Sequence, residues 1–542
     1  MKQLNLFGEE VIEDVKDNEI SHKAKSYTGL YALHKYWGKK PYNIMADFID
    51  KYTSPDEIVL DPFLGSGVSI TEAVFKGRKG FGIDINPSAI FITSQILAKV
   101  NPKSIIAEFK SLENDLKEKI NSFYTVNRNG ENYLGQNYLW ENQELTEVRF
   151  TNGTRNRQSE TPTNEDIALA ESFDIKNIKS YYPTSNFFHN SRINAKGTEN
   201  VSKLFTPRNL NALSLLFERI EKIENSEIRD LFKFCFTSSI GQASKMVFVI
   251  KRRNKTKNNG NIIVSEKKEI GSWVIGYWQP KEFFENNVWT CFETRFKKIL
   301  KAKKDQYSIS NLHISSESFD ELEKVGNYLL VNQPCQKYLK LIDDNSIDYI
   351  LTDPPHGNRI PYLELSLLWN SWLKKDVNYE DEIIVSESKE RKKNSTNYNE
   401  LMNEAIKECL RVLKPERHFS FMFNSLDDDA WLNVVKTFHE IGFELEVIET
   451  LGYSANSVVQ DNRKNGLQTD FIITYKKPKE IDLKRRLEII DLMDYPDLVL
   501  QIINLKKKGY KPFQIMNNIF CEVLKKNQFF MISELFKTIE NA

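Results

Sequence analysis

In ILTDPPHG, residues 350–357, a run of strand-like apolar residues ends on an acid, two prolines and a histidine. Asp353 and the carbonyl of Pro354 are acceptors, and neither Pro354 nor Pro355 has a backbone N–H to compete with a donor brought to them. Such a turn suits an amine whose lone pair is delocalised into a ring. With its N–H groups held by Asp353 and Pro354, the nitrogen can pyramidalise and attack in line, a step in which the protein contributes position and no covalent intermediate. His356 adds a planar ring that can stack and a titratable nitrogen that can donate.

A second segment, EIVLDPFLGSG at residues 57–67, carries Asp61, Pro62, Phe63, Gly65, Ser66 and Gly67. Asp61 stands at a strand end, and glycines in the turn let the backbone approach a ligand at φ values other residues avoid. Asp84 closes the next strand, GFGIDI, where a carboxylate can accept both hydroxyls of a ribose. A nucleoside-bearing cofactor is implied. The turn is neither G-x-G-x-x-G nor G-x-x-x-x-G-K-[ST], which argues against a dinucleotide or a phosphate clamp.

The elements around these groups form a recognisable alternation. Ile58 to Leu60 reads as a buried strand, SITEAVFKG as a helix and GFGIDI as a strand, the opening of a doubly wound parallel sheet. Ahead of it, ALHKYWGKKPYNIMADFIDKY places Pro41 at a first helical position and Ile44, Met45, Phe48 and Ile49 on one helical face. From about residue 327, the strands YLLVNQ, SIDYILTDPP and HFSFMFNS alternate with helices, and FELEVIETLGY with TDFIITYKK reads as a closing hairpin. The stretch between is too long for a loop. Thr206 and Pro207 there mark the start of a helix. The expected fold is α/β, a doubly wound Rossmann-like sheet with a large inserted domain and a helical C-terminal tail. The expected units are residues 1–30 as a mobile leader, 31–99 with the glycine-rich turn, 100–310 as the insert, 311–478 with the Asp-Pro-Pro turn, and 479–542 as the tail.

A chain of 542 residues with 40% hydrophobic and 28% charged residues describes a globular protein of several units. The five cysteines form no C-x-x-C pair, so neither a disulfide framework nor a zinc ribbon is indicated. Lys+Arg and Asp+Glu both total 75, so contact with nucleic acid must come from local basic surfaces. No signal peptide or membrane-length apolar run appears, and a cytoplasmic location is expected.

DPFLGSG followed by TDPPHG resembles the motif pair of the S-adenosylmethionine-dependent amino methyltransferases of DNA, which read D-P-F-x-G-S-G and [DNS]-P-P-[YFW]. HKYWGKKPYN, residues 34–43, resembles their segment beside the methionine end of the cofactor. The resemblance covers roughly residues 30–95 and 327–476. It implies a methyltransferase domain that binds S-adenosylmethionine and double-stranded DNA and methylates the exocyclic amine of a flipped base. Aspartate at 353 favours adenine N6 over cytosine N4, where serine is commoner. The resemblance assigns cofactor contacts to His34, Lys35, Trp37, Asp61, Pro62, Phe63, Gly65, Ser66, Gly67, Asp84, Asn86 and Gln333. It makes Asp353, Pro354, Pro355 and His356 catalytic and implies no metal. His356 departs from the family's aromatic residue, and Tyr362 offers a second stacking platform.

Motif order makes the insert the target recognition domain. Its basic runs, with Arg252, Arg253 and Lys255 in IKRRNKTKNNGN and Lys297 and Lys298 in RFKKILKAKK, are expected to contact phosphates. Tyr181, Tyr182, Phe187 and Phe188 form an aromatic cluster there, and ESKERKKNSTNY at 387–398 is placed to cover the flipped base. Gln3, Leu4, Leu6 and Phe7 resemble the peptide by which bacterial replication and repair proteins dock on the sliding clamp. A cognate restriction endonuclease is a further expected partner, and a membrane is not. Three rivals stand beside this reading. Pro334-Cys335-Gln336 matches the nucleophile tripeptide of cytosine-C5 methyltransferases without their preceding G-G. TDPPHG with Asn358 and Arg359 resembles tRNA guanine-N2 methyltransferases, although only about 57 residues precede the first strand, too few for their RNA-binding domain. A catalytically silent DNA-binding module is the third.

Overall fold

The computed structural model describes residues 22–151, 157–258, 261–274, 276–308, 313–423, 428–452, 470–482, 486–510 and 512–541. A nine-stranded sheet forms its centre. The strands are β1 (His22–Lys23), β2 (Ile58–Asp61), β3 (Lys79–Ile83), β4 (Ser315–Ser316), β5 (Tyr328–Val331), β6 (Ile347–Thr352), β7 (Leu413–Phe423), β8 (Glu444–Gly452) and β9 (Asp470–Lys476), in the spatial order β1-β8-β9-β7-β6-β2-β3-β5-β4. From β7 to β4 every pair is parallel, and β9 runs against both its neighbours. This is the doubly wound α/β architecture the alternation predicts, with β8 and β9 as the antiparallel pair at its end.

Alternation along the strands divides the core. Val59, Tyr349 and Leu351 meet Ile44, Met45, Phe48 and Ile49 of helix α1 (Tyr42–Tyr52), whereas Ile58, Leu60 and Ile350 face the other side. Each fully buried aliphatic side chain of this kind contributes roughly 1.5–3 kcal/mol. Helices α2 (Val68–Phe75) and α3 (Pro87–Leu97) follow β2 and β3, and α3 begins with Asn86 as N-cap and Pro87 in its first turn.

Residues 102–307 interrupt the sheet between β3 and β4. They form α4 (Pro102–Ser122), an antiparallel sheet around the strands Glu131–Glu141 and Glu144–Thr151, helices α5 (Pro207–Glu221), α6 (Ser226–Ile240) and α7 (Val288–Tyr307), and a two-stranded ribbon, Val249–Asn258 with Asn261–Ile270. Thr206 caps α5 as the sequence suggests, its hydroxyl accepting from Asn209 N. Arg208 is buried in this unit against Glu285, at 3.1 Å through Nε and 2.5 Å through Nη2, with the Tyr138 ring 4.0 Å from its guanidinium. The main core of the insert is continuous with the rest of the molecule. Phe109, Phe236 and Trp289 share one buried cluster with Ile92 and Ile96 of α3 and with Trp369 and Trp372 of a short helix, α8 (Leu367–Trp372), just beyond the Asp-Pro-Pro turn.

Helices α9 (Ser395–Val412) and α10 (Asp428–Ile441) flank β7. The tail forms α11 (Pro496–Lys507), α12 (Pro512–Lys525) and α13 (Ile532–Asn541), and Ile515, Ile519 and Phe520 pack with Trp431 and Phe471 against the sheet. The leader from residue 1 to 21, with Gln3, Leu4, Leu6 and Phe7, lies outside the described residues.

Candidate active site

Strands β2 and β6 pair directly, so the two chemistry-bearing turns leave the same edge of the sheet side by side. Thr352 Oγ1 joins them by donating to Asp61 Oδ1 at 2.6 Å. Asp61 also accepts from Phe63 N at 3.1 Å and from the Ser69 hydroxyl of α2. Burial pushes its carboxyl up to about 6 although these donors pull it down. The turn needs its glycines: Gly65 and Gly67 have φ of +52° and +71°, and a Cβ on Gly67 would run into Thr93 of α3.

Asp84 continues the wall on β3. Its Oδ2 accepts from Gly65 N at 2.7 Å and its Oδ1 from Asn86 N at 2.8 Å, and burial pushes it up to about 7. Asn86 also donates through Nδ2 to Ser366 Oγ at 2.7 Å and to Tyr36 OH at 3.2 Å. Beyond β3, Pro334, Cys335 and Gln336 follow β5. A cleft runs along this edge, lined by residues of both turns. Following the strand order β6-β2-β3-β5, it passes from Asp353 over the glycine turn to Asp84 and then to Cys335.

At the Asp353 end, Lys40 Nζ lies 3.0 Å from Oδ2 and also 3.6 Å from Asp470, and His356 Nε2 lies 3.2 Å from Oδ1. With Asp353 ionised, that nitrogen of His356 is the donor. The imidazole meets Phe423 edge-on with ring centres 5.3 Å apart, and its buried Nδ1 has no hydrogen-bond partner among the described residues. Tyr398 OH donates to the Pro355 carbonyl at 2.6 Å, fixing the turn from α9.

Of the residues singled out in the sequence, Trp37, Asp61, Pro62, Phe63, Gly65, Ser66, Asp84, Asn86, Asp353, Pro355 and Tyr362 line the cleft. Gly67 and Pro354 lie in the turns behind them. His34 and Lys35 face the insert instead. His34 Nε2 is 3.1 Å from Thr237 Oγ1, burial lowers its imidazole to about 3, and Lys35 Nζ donates to the Trp273 carbonyl at 2.7 Å. Gln333 is exposed beside the lining Pro334. His356 borders a second cavity with Phe423, Tyr398, Asn399, Asn403 and Asn433. Tyr362 stacks on Tyr36 at 6.0 Å inside the first. Tyr36, Lys40 and Glu382 complete the cleft without having been singled out. Tyr36 and Lys40 stood in the quoted HKYWGKKPYN, but Glu382 belongs to no motif.

The basic runs divide. Arg252 and Arg253 are exposed on the ribbon, Arg252 pairing with Glu269 at 2.8 Å, while the Lys255 side chain lies outside the described residues. Lys297 and Lys298 are exposed on α7, Lys297 bound to Glu293 at 2.6 Å. Lys303 of the same run is buried, its ammonium donating at 2.6 Å to the carbonyls of Gln95 and Ala98 at the end of α3. Phe187 is core and Phe188 packs on Tyr379, so these rings join the insert to the cleft wall. Cys335 is buried and its thiol is pushed far up by burial, the reverse of an activated nucleophile. Among the described residues no group could hold a metal, and no helix is long and apolar enough to cross a membrane.

Residues 5–95 match the family model described as DNA methylase, of the N6/N4 type. Over 94 residues the chain is 28% identical to the Type II methyltransferase M.MjaII of Methanocaldococcus jannaschii, an alignment that spans 17% of each protein. The family match covers the glycine turn and Asp84, and the structure brings the Asp-Pro-Pro turn to the same cleft from outside residues 5–95. Residues 5–95 are thus similar to the DNA amino methyltransferases, and they supply the first strands of the doubly wound sheet.

Proposed function

We propose that the protein is an S-adenosylmethionine-dependent DNA methyltransferase acting on the exocyclic amine of a flipped base, adenine N6 in preference to cytosine N4. The observation that carries this reading is the shared edge of β2 and β6: an amine held at Asp353 lies at one end of a cleft whose other end carries Asp84. The lining suits the cofactor. Asp84 offers acceptors to hydroxyls, Phe63, Met45 and Ile383 offer apolar surface, and the buried indole N–H of Trp37 has no acceptor among the described residues. S-Adenosylmethionine supplies an electrophilic methyl group on a sulfonium when bound, and the carboxylates of Asp61, Asp84 and Asp353 favour that positive charge.

Asp353 takes one N–H of the amine and the Pro354 carbonyl the other. Lys40 and His356 each occupy one lone pair of the Asp353 oxygens, which hold the carboxylate still and leave further lone pairs for the substrate. The second cavity, bordered by His356, Phe423 and four asparagines, offers ring faces and amide groups to a base taken out of the duplex. A restriction-modification or phage-defence setting, with a cognate endonuclease, fits the Type II relative. Docking on a sliding clamp through Gln3, Leu4, Leu6 and Phe7 belongs to the same proposal.

Incubation of unmodified DNA with methyl-labelled cofactor tests the reading. Label on adenine is expected, and Asp353→Ala should lower transfer by about 10²-fold or more, as expected for lost positioning, while cofactor affinity is kept. Label on cytosine would move the assignment to N4, and label on tRNA alone to the guanine-N2 reaction. DNA binding with no transfer to any substrate would leave the silent module.

A further inference from the structure

Part of the cleft wall comes from the segment 378–394, outside the two turns. Asp381, Glu382, Ile383 and Ile384 of this segment line the cleft. It is held down at Asp381 by Lys337 at 2.7 Å and by Gln336 Nε2 on the Asp381 carbonyl at 3.2 Å, and further along by Val385 N on the Gly357 carbonyl at 3.2 Å.

Arg391 of the same segment has its side chain 1% exposed. Its guanidinium bridges two buried glutamates, reaching Glu364 Oε1 at 2.9 Å through Nη1 and Glu382 Oε2 through Nη2. The rings of Tyr379 and Phe188 lie 4.8 and 5.4 Å from its centre. Glu364 is fixed in turn by Asn190 of the insert at 2.7 Å and by Ser386 at 2.8 Å. Glu382 accepts on its other oxygen from Leu363 N at 3.2 Å. Both of its oxygens are thus anchored, and Glu382 lines the same cleft as Asp84.

One guanidinium serves two carboxylates in a place shielded from water, with the Lys393 ammonium as a further nearby cation, and burial pushes the Glu382 carboxyl upward. An apolar triad of similar volume would serve packing as well or better. An acid on the cleft wall has a use when a ligand brings it a donor.

We propose that Glu382 is a ligand-recognition residue of the cleft, accepting hydrogen bonds from hydroxyl or amino groups of the nucleoside beside Asp84, and that Arg391 is its positioning residue. The proposal rests on the reading of the cleft as a nucleoside-cofactor site. It adds to the paired motifs a recognition group from this part of the cleft wall, held by an arginine that the insert braces through Asn190 and Phe188.

Calorimetric titration of the full-length protein with S-adenosylmethionine, S-adenosylhomocysteine and adenosine separates the two levels. If the wild type binds none of them, the cofactor reading falls and this proposal with it. If the wild type binds, Glu382→Gln is expected to weaken all three by about tenfold or more, in line with loss of a charged acceptor, in protein shown by circular dichroism to be folded at the titration temperature. Affinities within twofold of wild type in Glu382→Gln overturn the proposal and leave the cofactor reading intact. Arg391→Lys, which keeps the charge and removes the fork, should weaken the same ligands in the wild-type background and have no further effect in Glu382→Gln. An equal effect in both backgrounds overturns the positioning role.

Discussion

Asp353 meets a nitrogen on each oxygen, Lys40 at 3.0 Å and His356 at 3.2 Å. From sequence, His356 stands where a stacking ring is usual, and two uses, as a stacking plane or as a polar ring nitrogen, are both open. Its bond to Asp353 favours the polar use. His356→Tyr should lower methyl transfer by roughly tenfold, the value of a charge-assisted hydrogen bond, with cofactor affinity unchanged. Retained transfer would assign the residue to stacking. Asp84 gives a second outcome. Burial favours its neutral form, so below about pH 7 the ligand-free carboxyl holds a proton. A ligand whose hydroxyls need a carboxylate must displace it, and affinity therefore rises with pH up to about 7 and levels above, with proton release on binding below that value. Calorimetry across pH in two buffers of different ionisation enthalpy reads both, and Asp84→Asn should flatten the profile. Asp61, Asp84 and Asp353 were legible because each ends a buried strand. The Lys40 pairing and the place of Glu382 were not, since both depend on segments far apart in sequence.

At the scale of the element, the α7 run shows how composition misleads. RFKKILKAKK reads as a basic face for phosphates, yet Phe292, Phe296, Ile299 and Lys303 recur at helical spacing on one buried side. That pattern was present in the sequence and places Lys303 with the apolar stripe. Its ammonium supplies donors to Gln95, Ile96 and Ala98 carbonyls that the end of α3 leaves without helical partners. Lys303→Met should therefore destabilise the protein by about 1–3 kcal/mol, seen as a lower urea midpoint, and should leave the salt dependence of DNA binding as it was. The exposed Lys297 and Lys298, two turns earlier, carry no such structural task. Strands, helix starts and the Thr206 cap were legible because local spacing and capping chemistry specify them. The direction of a charged side chain was not, because it depends on which helix face is covered.

For the whole molecule, alternation of strands and helices revealed a doubly wound sheet and an interruption within it, but strand order and the seat of the insert come from tertiary packing. Inside the insert, Arg208 and Glu285 are each 1% exposed on their side chains, and Arg208 holds Glu285 below the usual carboxylate range although burial opposes it. Breaking such a pair leaves a buried charge alone. Glu285→Ala should cost about 3–5 kcal/mol in denaturant unfolding, whereas replacing both partners by apolar residues of like volume should cost far less. The insert also shares its core with α3 and α8, and α3 begins at the Asn86 that orients Tyr36. An insert built this way is not a cassette. Exchanging residues 102–307 for another unit would strip Ile92, Ile96, Trp369 and Trp372 of their partners, so the insert is open to change through substitutions on its outer surface far more readily than through wholesale replacement.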